Sequence, residues 1–291
     1  IGASMVAAGY YEALTFSWVT DALKDDFKPE NATGLLRADD TVRKDNAHLR
    51  PSMLPGLLEA LRRNETVGNA GVKLFEIGSV FFIRRRGMGE DPSVYESREV
   101  GIVGSTDYRE VRGSIEALLD SLDSARPVRV TPDHQPGFAQ GACGLIQWGQ
   151  WPIGHIGHLD RRVADKLGLR EIPVVAELYL EPLINGVAWL PQVKELAKFP
   201  AVKRDLSLVV GEKVRYEQIQ SLVLELKLPN LEGVEYVTTY RGKQIGAESK
   251  SVTLELLFRS DTGTLTSEEV EGSVQRVVGA AKEKVGAILR I

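Results

Sequence analysis

The last hundred residues of this 291-residue chain switch between two hydrophobic periods in a fixed order, and that order leaves few folds open. Residues 206–210, 234–240 and 252–258 lean toward period two, as half-buried strands do. Residues 216–226 space their apolar side chains as a helix does. Thr266, followed by Glu268 and Glu269, opens a second helix that runs to about Val285. A turn around Gly246 separates the two middle strands, and residues 287–289 make a short last strand. The order βαββαβ puts two helices on one face of a four-stranded antiparallel sheet and leaves the other face open to a ligand, the ferredoxin-like split motif.

The residues before it read differently. Residues 11–19 mix aromatic and β-branched side chains and are expected to form a strand, followed by a charged surface loop over 24–45. In residues 49–64, Leu54, Leu57, Leu58 and Leu61 share one helical face, with Pro55 in the first turn. Strands are expected at 72–82, 100–103, 145–148, 153–156 and 174–180, with a charged loop at 84–96 and a turn at Gly149. Asp107 caps a helix carrying Val111, Ile115, Leu118 and Leu122. Leu159, Val163 and Leu167 mark another helix, ended by Gly168. This length predicts two domains. The boundary is placed in a linker at 190–199, giving domains 1–190 and 191–291 of an α+β protein.

Composition narrows the function classes. No apolar run approaches the roughly 20 residues that a membrane-spanning helix needs. A single cysteine, Cys143, excludes an internal disulfide and a cysteine-based zinc site, and fits a cytoplasmic location. The first residues lack the basic start and apolar stretch of a signal peptide, and a chain opening on Ile1 reads as a piece of a longer protein. The net charge of -4 argues against a general nucleic-acid coat. Residues 191–291 hold 15 Lys+Arg against 14 Asp+Glu, leaving 21 against 26 elsewhere. Any RNA contact is therefore expected to be a shaped local site in the tail.

Several strings, in order, resemble one family. Residues 199–210 (FPAVKRDLSLVV), 240–242 (YRG), 250–256 (KSVTLEL) and 263–270 (GTLTSEEV) look like the anticodon-binding domain of the bacterial phenylalanyl-tRNA synthetase β subunit. Upstream, GYYEALTFSW, LRPSMLPGLLEALRRN and LFEIGSVF resemble the same subunit's synthetase-like domain, an antiparallel sheet flanked by helices. The resemblance implies an (αβ)2 assembly with a catalytic α subunit that joins phenylalanine to tRNA(Phe). ATP and Mg2+ serve the whole complex, and no cofactor is expected on this chain. The Leu54, Leu57, Leu58 and Leu61 stripe is read as core or as the subunit interface.

The synthetase-like domain is expected to be catalytically silent. A class II site grips ATP phosphates with an arginine in an F-R-x-E pattern and a second in G-x-G-x-x-R, because planar guanidinium donors match phosphate oxygens. Here Phe82 stands where the first would be, and Arg161 and Arg162 fall at a helix start. A register shift bringing Arg84, Arg85 or Arg86 into that place is the alternative. Gln135 and Phe138 replace a basic pair common in relatives, whereas Arg112-Gly113 resembles the family's K-G pair.

Anticodon bases are single-stranded, so aromatics can stack on them and hydroxyls can read their edges. Read from the residues alone, Tyr240 at the end of the second strand caps the core with a wet hydroxyl; the resemblance makes it the stacking candidate. The resemblance adds Ser207, Ser251 and Arg290 as anticodon contacts, with Thr238 where relatives often carry an aspartate. Arg241 and Arg259 are candidate phosphate contacts, and Arg204-Asp205 is read as a structural pair. No catalytic or metal-ligating residue is assigned. His155 and His158 lack further ligands in the sequence pattern, Ser52 lacks a nucleophile-elbow frame and is read as a helix cap, and Cys143 is read as buried and inert. Two rival readings remain: a self-sufficient class II ligase, and a ferredoxin-like module that binds small molecules or dimerises without RNA.

Overall fold

The structure is a computed structural model that describes all residues except 43, 86, 88–90, 188–196, 243, 247 and 291. The linker expected at 190–199 lies largely outside the described residues, as does Arg86. The chain divides into two units, Ile1–Pro191 and Gln192–Ile291.

The first unit is built on a seven-stranded sheet in the order β1-β4-β5-β9-β8-β7-β6. Its strands are β1 (Tyr11–Glu12), β4 (Leu74–Arg84), β5 (Ser93–Val103), β6 (Val128–Asp133), β7 (Phe138–Trp148), β8 (Trp151–Leu159) and β9 (Val174–Tyr179). All neighbours are antiparallel except β1 and β4. A separate pair, β2 (Trp18–Val19) with β3 (His48–Leu49), stands outside this sheet. One sheet face is covered by α1 (Gly2–Ala7), α3 (Tyr108–Asp123) and α5 (Leu180–Asn185), around Phe75, Ile102, Trp148 and Leu178. The other carries α2 (Leu54–Thr66) and α4 (Arg161–Leu167), packed with Leu74, Val103, Phe138 and Val175.

Helix α2 can lie this close because β5 presents Gly101 beneath it. A Cβ there would stand 2.5 Å from the Met53 Cβ and 2.9 Å from Leu57 Cδ1, well inside van der Waals contact. The helix begins under charge control. Glu177 of β9 accepts hydrogen bonds from the Met53 backbone N–H and from Ser52 Oγ at 3.0 Å, and Ser52 Oγ in turn accepts from the Leu54 N–H at 3.1 Å. The buried Arg50 guanidinium pairs with Glu76 at 2.8 Å and donates to the Ser79 carbonyl at 2.9 Å. Two strands thus hold the residues that lead into α2.

Several expectations need correcting. Leu54, Leu57, Leu58 and Leu61 do not form a subunit interface: they are fully buried, or 7 % exposed for Leu61, against their own unit's sheet. A leucine stripe records only that a face is covered. Residues 11–19 form two short strands rather than one, because the chain between them turns in: Thr15 Oγ1 donates to Glu76 at 2.6 Å and accepts from Arg50 at 3.0 Å. Strand β5 begins at Ser93, well before the expected 100, and Leu159 ends β8 rather than opening α4, whose cap is Asp160.

The second unit has β10 (Val202–Gly211), α6 (Tyr216–Glu225), β11 (Leu231–Tyr240), β12 (Ser249–Phe258), α7 (Ser267–Val285) and β13 (Ile288–Leu289). The sheet order β11-β12-β10-β13, antiparallel throughout, is the ferredoxin-like arrangement read from the sequence. Leu206, Leu208, Val210, Val252, Leu254 and Leu256 point to the helices and are buried. Helix α7 opens with a capping box, in which Thr266 and Glu269 each satisfy the other's backbone N–H. Gly286, left-handed at φ 64°, closes it. Arg204 and Asp205 do not pair. Successive strand residues face opposite ways, and Arg204 instead donates to the Lys203 carbonyl and to Ser267 Oγ.

The burial of α2 gives a direct test. Leu58→Ala should destabilise the chain by about 2–5 kcal/mol, the usual cost of a leucine-to-alanine cavity, as read by denaturant titration. A surface-interface leucine would lose under about 0.5 kcal/mol.

Candidate functional site

On the second unit's open sheet face the expected RNA residues fall in two adjacent rows. Ser207, Thr253 and Thr238 lie side by side across β10, β12 and β11, and Val209, Ser251 and Tyr240 form the next row. A bulge between Tyr236 and Thr238 makes this possible. Upstream of it Glu235 faces the open side opposite Glu255. The extra residue, Val237, shifts the phase so that Thr238 and Tyr240 take that face. Nothing in the residue pattern announces such a bulge.

Tyr240 is held from two sides. Its ring occupies the space over Gly242, where a Cβ would come within 2.7 Å of Cζ. Arg290, anchored by its backbone N–H to the Ser207 carbonyl at 2.9 Å, reaches over the face and sets its guanidinium 5.0 Å from the Tyr240 ring centroid. A cation at that distance is attracted to the ring. Beside them Ser251 is 1 % exposed, and its hydroxyl has no hydrogen-bond partner among the described residues. Ser207 Oγ and Thr253 Oγ1 bond each other at 2.8 Å. Thr253 was not singled out from the sequence, although its alternation with Ser251 on one strand was the available signal.

The candidate phosphate contacts separate. Arg241 follows Tyr240 but is gripped by Glu212, with contacts of 3.0, 3.1 and 2.6 Å. Arg259 lies at the opposite end of β12, bonded to Glu232 at 2.7 Å and to the Phe199 carbonyl at 3.1 Å, so it is not part of the Tyr240 group. Beyond the polar rows the open face turns acidic, with Asp205, Glu255 and Glu235 in one line, Glu255 being paired with Lys203 at 2.7 Å. A polyanion is repelled from that end.

In the first unit, Phe82 is buried and lines a cavity of about 470 Å3. Arg84, two residues on along the same strand face, also lines it, with its guanidinium 3.7 Å from the Tyr95 ring centroid. Arg161 opens α4, and Arg162 is turned back onto Asp160 at 2.9 Å. Gln135 and Phe138 border the same cavity, and Gln135 contacts His155, whose Nε2 lies 2.9 Å from Asp133. Burial lowers the His155 pKa despite that carboxylate. Cys143 is buried and its thiol is pushed up to about 12 by desolvation, as expected of an inert cysteine. Ser52 does serve the start of α2, through Leu54.

The cavity floor holds a group that sequence reasoning missed. Glu99 on β5 and Glu177 on β9 are brought together diagonally by the pairing of Gly101 with Glu177 and of Glu99 with Tyr179. Burial, and then the neighbouring Glu177 charge, push the Glu99 carboxyl well above the usual range. Glu177 is raised by burial as well, against which Met53 and Ser52 donate to its charged form. The two carboxyls also bond each other, which favours the protonated form of Glu99 and the charged form of Glu177. The two residues are remote in the chain, so no spacing could reveal them.

Comparison with known proteins places the whole chain. The family described as the phenylalanyl tRNA synthetase beta chain CLM domain matches residues 1–180, and the ferredoxin-fold anticodon binding domain matches residues 197–290. The chain belongs to the phenylalanyl-tRNA synthetase β-chain family. It is 28% identical over 289 residues to the phenylalanine–tRNA ligase β subunit of Clostridium acetobutylicum, covering 98% of this chain and 36% of that protein. The corresponding subunit of Rhodopirellula baltica is 28% identical over 292 residues, covering 98% of this chain and 43% of the relative. The chain thus spans well under half the length of these curated relatives. Among solved structures, pyrrolysyl-tRNA synthetase from Desulfitobacterium hafniense overlaps 63% of this chain and 65% of its own with a TM-score of 0.48 at 17% identity. The expected α+β architecture of this family chain, a synthetase-like antiparallel sheet followed by a ferredoxin-like domain, is the one observed.

The Glu99 pair makes stability depend on pH. A carboxyl whose folded pKa lies above its unfolded value stabilises the fold fully below the unfolded value, and loses that contribution as pH rises through the folded one. The unfolding midpoint is therefore expected to fall above the ordinary carboxylate range more steeply in the parent than in Glu99→Gln, which cannot ionise. Thermal melts across pH 4 to 9 check this, and parallel curves for the two proteins would contradict it.

Proposed function

We propose that this chain works as part of the β subunit of a phenylalanine–tRNA ligase, in which its second unit binds the anticodon of tRNA(Phe) and its first unit is a catalytically silent scaffold for the α subunit. The observation that carries the RNA reading is the convergence of Ser207, Thr238, Tyr240, Ser251 and Arg290 on one sheet face, with the arginine over the tyrosine ring. A splayed base can stack on Tyr240 once Arg290 swings aside to a phosphate, and the uncommitted Ser251 hydroxyl then has a base edge to bond. Thr238 offers a hydroxyl beside Thr253 where a carboxylate would accept more strongly, so base-edge reading falls mainly to Ser251 and Ser207. Arg241 is a second phosphate contact only where RNA draws it from Glu212, and Arg259 is assigned to holding the strand end.

For the first unit the supporting observation is the cavity beside Phe82, whose floor is carboxylate rather than guanidinium. ATP phosphates need cationic donors there, yet the one arginine among the lining residues, Arg84, is stacked on Tyr95, and Arg50, close enough to act on Glu177, is paired with Glu76. ATP and Mg2+ belong, in this reading, to the complex as a whole, which forms an (αβ)2 assembly in the cytoplasm. Among the described residues no helix is long and apolar enough to cross a membrane. A ferredoxin-like module without RNA binding is not favoured, because the family match over 197–290 is to an anticodon-binding domain.

Tyr240→Ala is expected to weaken binding of the tRNA(Phe) anticodon stem-loop to this chain by roughly ten- to a hundredfold, the loss of one aromatic stack at about 1–3 kcal/mol. Fluorescence anisotropy measures it, and unchanged affinity, or equal affinity for a scrambled loop, rejects the assignment. The chain should also co-purify with its cognate α subunit and form no phenylalanyl-adenylate alone. Adenylate formed by the chain alone would overturn the silent-scaffold reading.

A further inference from the structure

We propose that the cavity of the first unit binds a small organic ammonium ion carried on an apolar body, with the ammonium seated on Glu99 and the body among the aromatic walls. This site lies within the first unit, and the inference does not depend on RNA binding by the second. Four observations on the cavity converge.

The first is Glu99 itself. It is 5 % exposed and lines the cavity; its carboxyl shares a hydrogen bond with that of Glu177, and among the described residues no other group donates to it. Glu177, by contrast, is committed to Met53 and Ser52 at the start of α2. A buried carboxylate is costly unless a cation or strong donors complete it. Glu177 draws its donors from the start of α2, whereas the one bond of Glu99 is to another carboxyl, so the pair lines the cavity with no cation hydrogen-bonded to it among the described residues.

The second is the wall. Phe82, Phe138 and Tyr179 line the same space, and ring faces attract organic cations as well as apolar bodies. The third is size: about 470 Å3 falls within the range of small-molecule sites, roughly 300–1,000 Å3. The fourth is the charge balance of the lining. Glu30, Glu99 and Glu177 stand against Arg84, whose guanidinium is stacked on Tyr95, and against His155, kept neutral by burial and bonded to Asp133. An anion meets an acidic floor here.

The donor set speaks against a metal ion. Calcium takes about six to eight oxygen ligands and magnesium about six, whereas among the described residues no group of three or more His, Cys, Asp and Glu is arranged to hold one. A neutral apolar ligand would fill the walls and leave the negative charge of the Glu99–Glu177 pair without a cation in the cavity. The ligand class that satisfies floor and walls together is a monoamine with a compact apolar or aromatic body.

Calorimetric titration with phenethylamine, and with 2-phenylethanol as its uncharged counterpart, tests this on the unaltered chain. One-site saturable binding of the amine is expected, with the alcohol weaker by roughly tenfold or more, as befits a buried charge pair. Glu99→Gln, shown folded by circular dichroism, should weaken the amine by a similar factor. Absence of saturable amine binding, equal affinity for the alcohol, or full amine affinity in folded Glu99→Gln would each overturn the proposal. Should Glu99→Gln fail to fold, the amine-to-alcohol comparison on the parent chain decides by itself.

Discussion

Glu177 is the point on which the first unit turns. One carboxylate in the middle of the sheet accepts from the backbone of Met53 and the hydroxyl of Ser52, and so fixes where α2 starts and how it enters. The leucine face of that helix then needs a close floor, which Gly101 provides on the neighbouring strand. Packing alone leaves a helix free to slide along a sheet by a turn. A buried anion facing the first N–H groups of the helix does not, because the favourable partial charge falls off within one turn. The same carboxylate forces Glu99, its diagonal neighbour, into a shared protonation state. The helix anchor and the cavity floor are thus one electrostatic arrangement.

In the second unit the organising constraint is geometric. Side chains alternate across a strand, so a face devoted to a core on one side yields a face of serine, threonine and valine on the other. The bulge at Val237 changes the phase of β11 for its last residues only, exchanging a glutamate row for a threonine and a tyrosine. Without that one inserted residue Tyr240 would face the helices. The acidic row left behind it has a consequence of its own. It bounds the polar face, so that a polyanion approaching the open sheet is steered toward the Tyr240 end.

The two units differ in how much their sequence discloses. The second was readable almost element by element, because each strand and helix has its own period and α7 carries a capping box in plain view. The shared face of Ser207, Ser251 and Tyr240, the side chains proposed to bind, was readable as well, since it follows from strand alternation once the family resemblance says which face matters. The first unit hid more. Helices α1 and α5 are six residues each, too short to show a helical period, and β6 is an edge strand with Pro132 in it. Thr15 breaks what looks like one strand, because its partner Glu76 lies on another. The leucine stripe of α2 was legible as a buried face, but pattern alone cannot say whether the cover is a partner chain or the chain's own sheet.

The least legible features are those that depend on two strands meeting. Glu99 reads in the sequence as one charge in an alternating strand, SREVGIV, and Glu177 as another in VVAELY; either alone would be taken for a solvated side chain. Only the β5–β9 register turns them into a buried pair. Such a pair is destabilising as it stands, since desolvation raises both pKa values and one carboxyl must hold a proton. Glu177 offsets its share by anchoring α2. Glu99 does nothing comparable for the fold. It bonds no helix start, and its one side-chain bond is to Glu177 on the neighbouring strand, the very carboxyl whose charge it must tolerate. A second buried carboxyl that anchors nothing beyond its partner is best accounted for by something outside the fold, and the aromatic-lined cavity at Glu99 is where that something has room.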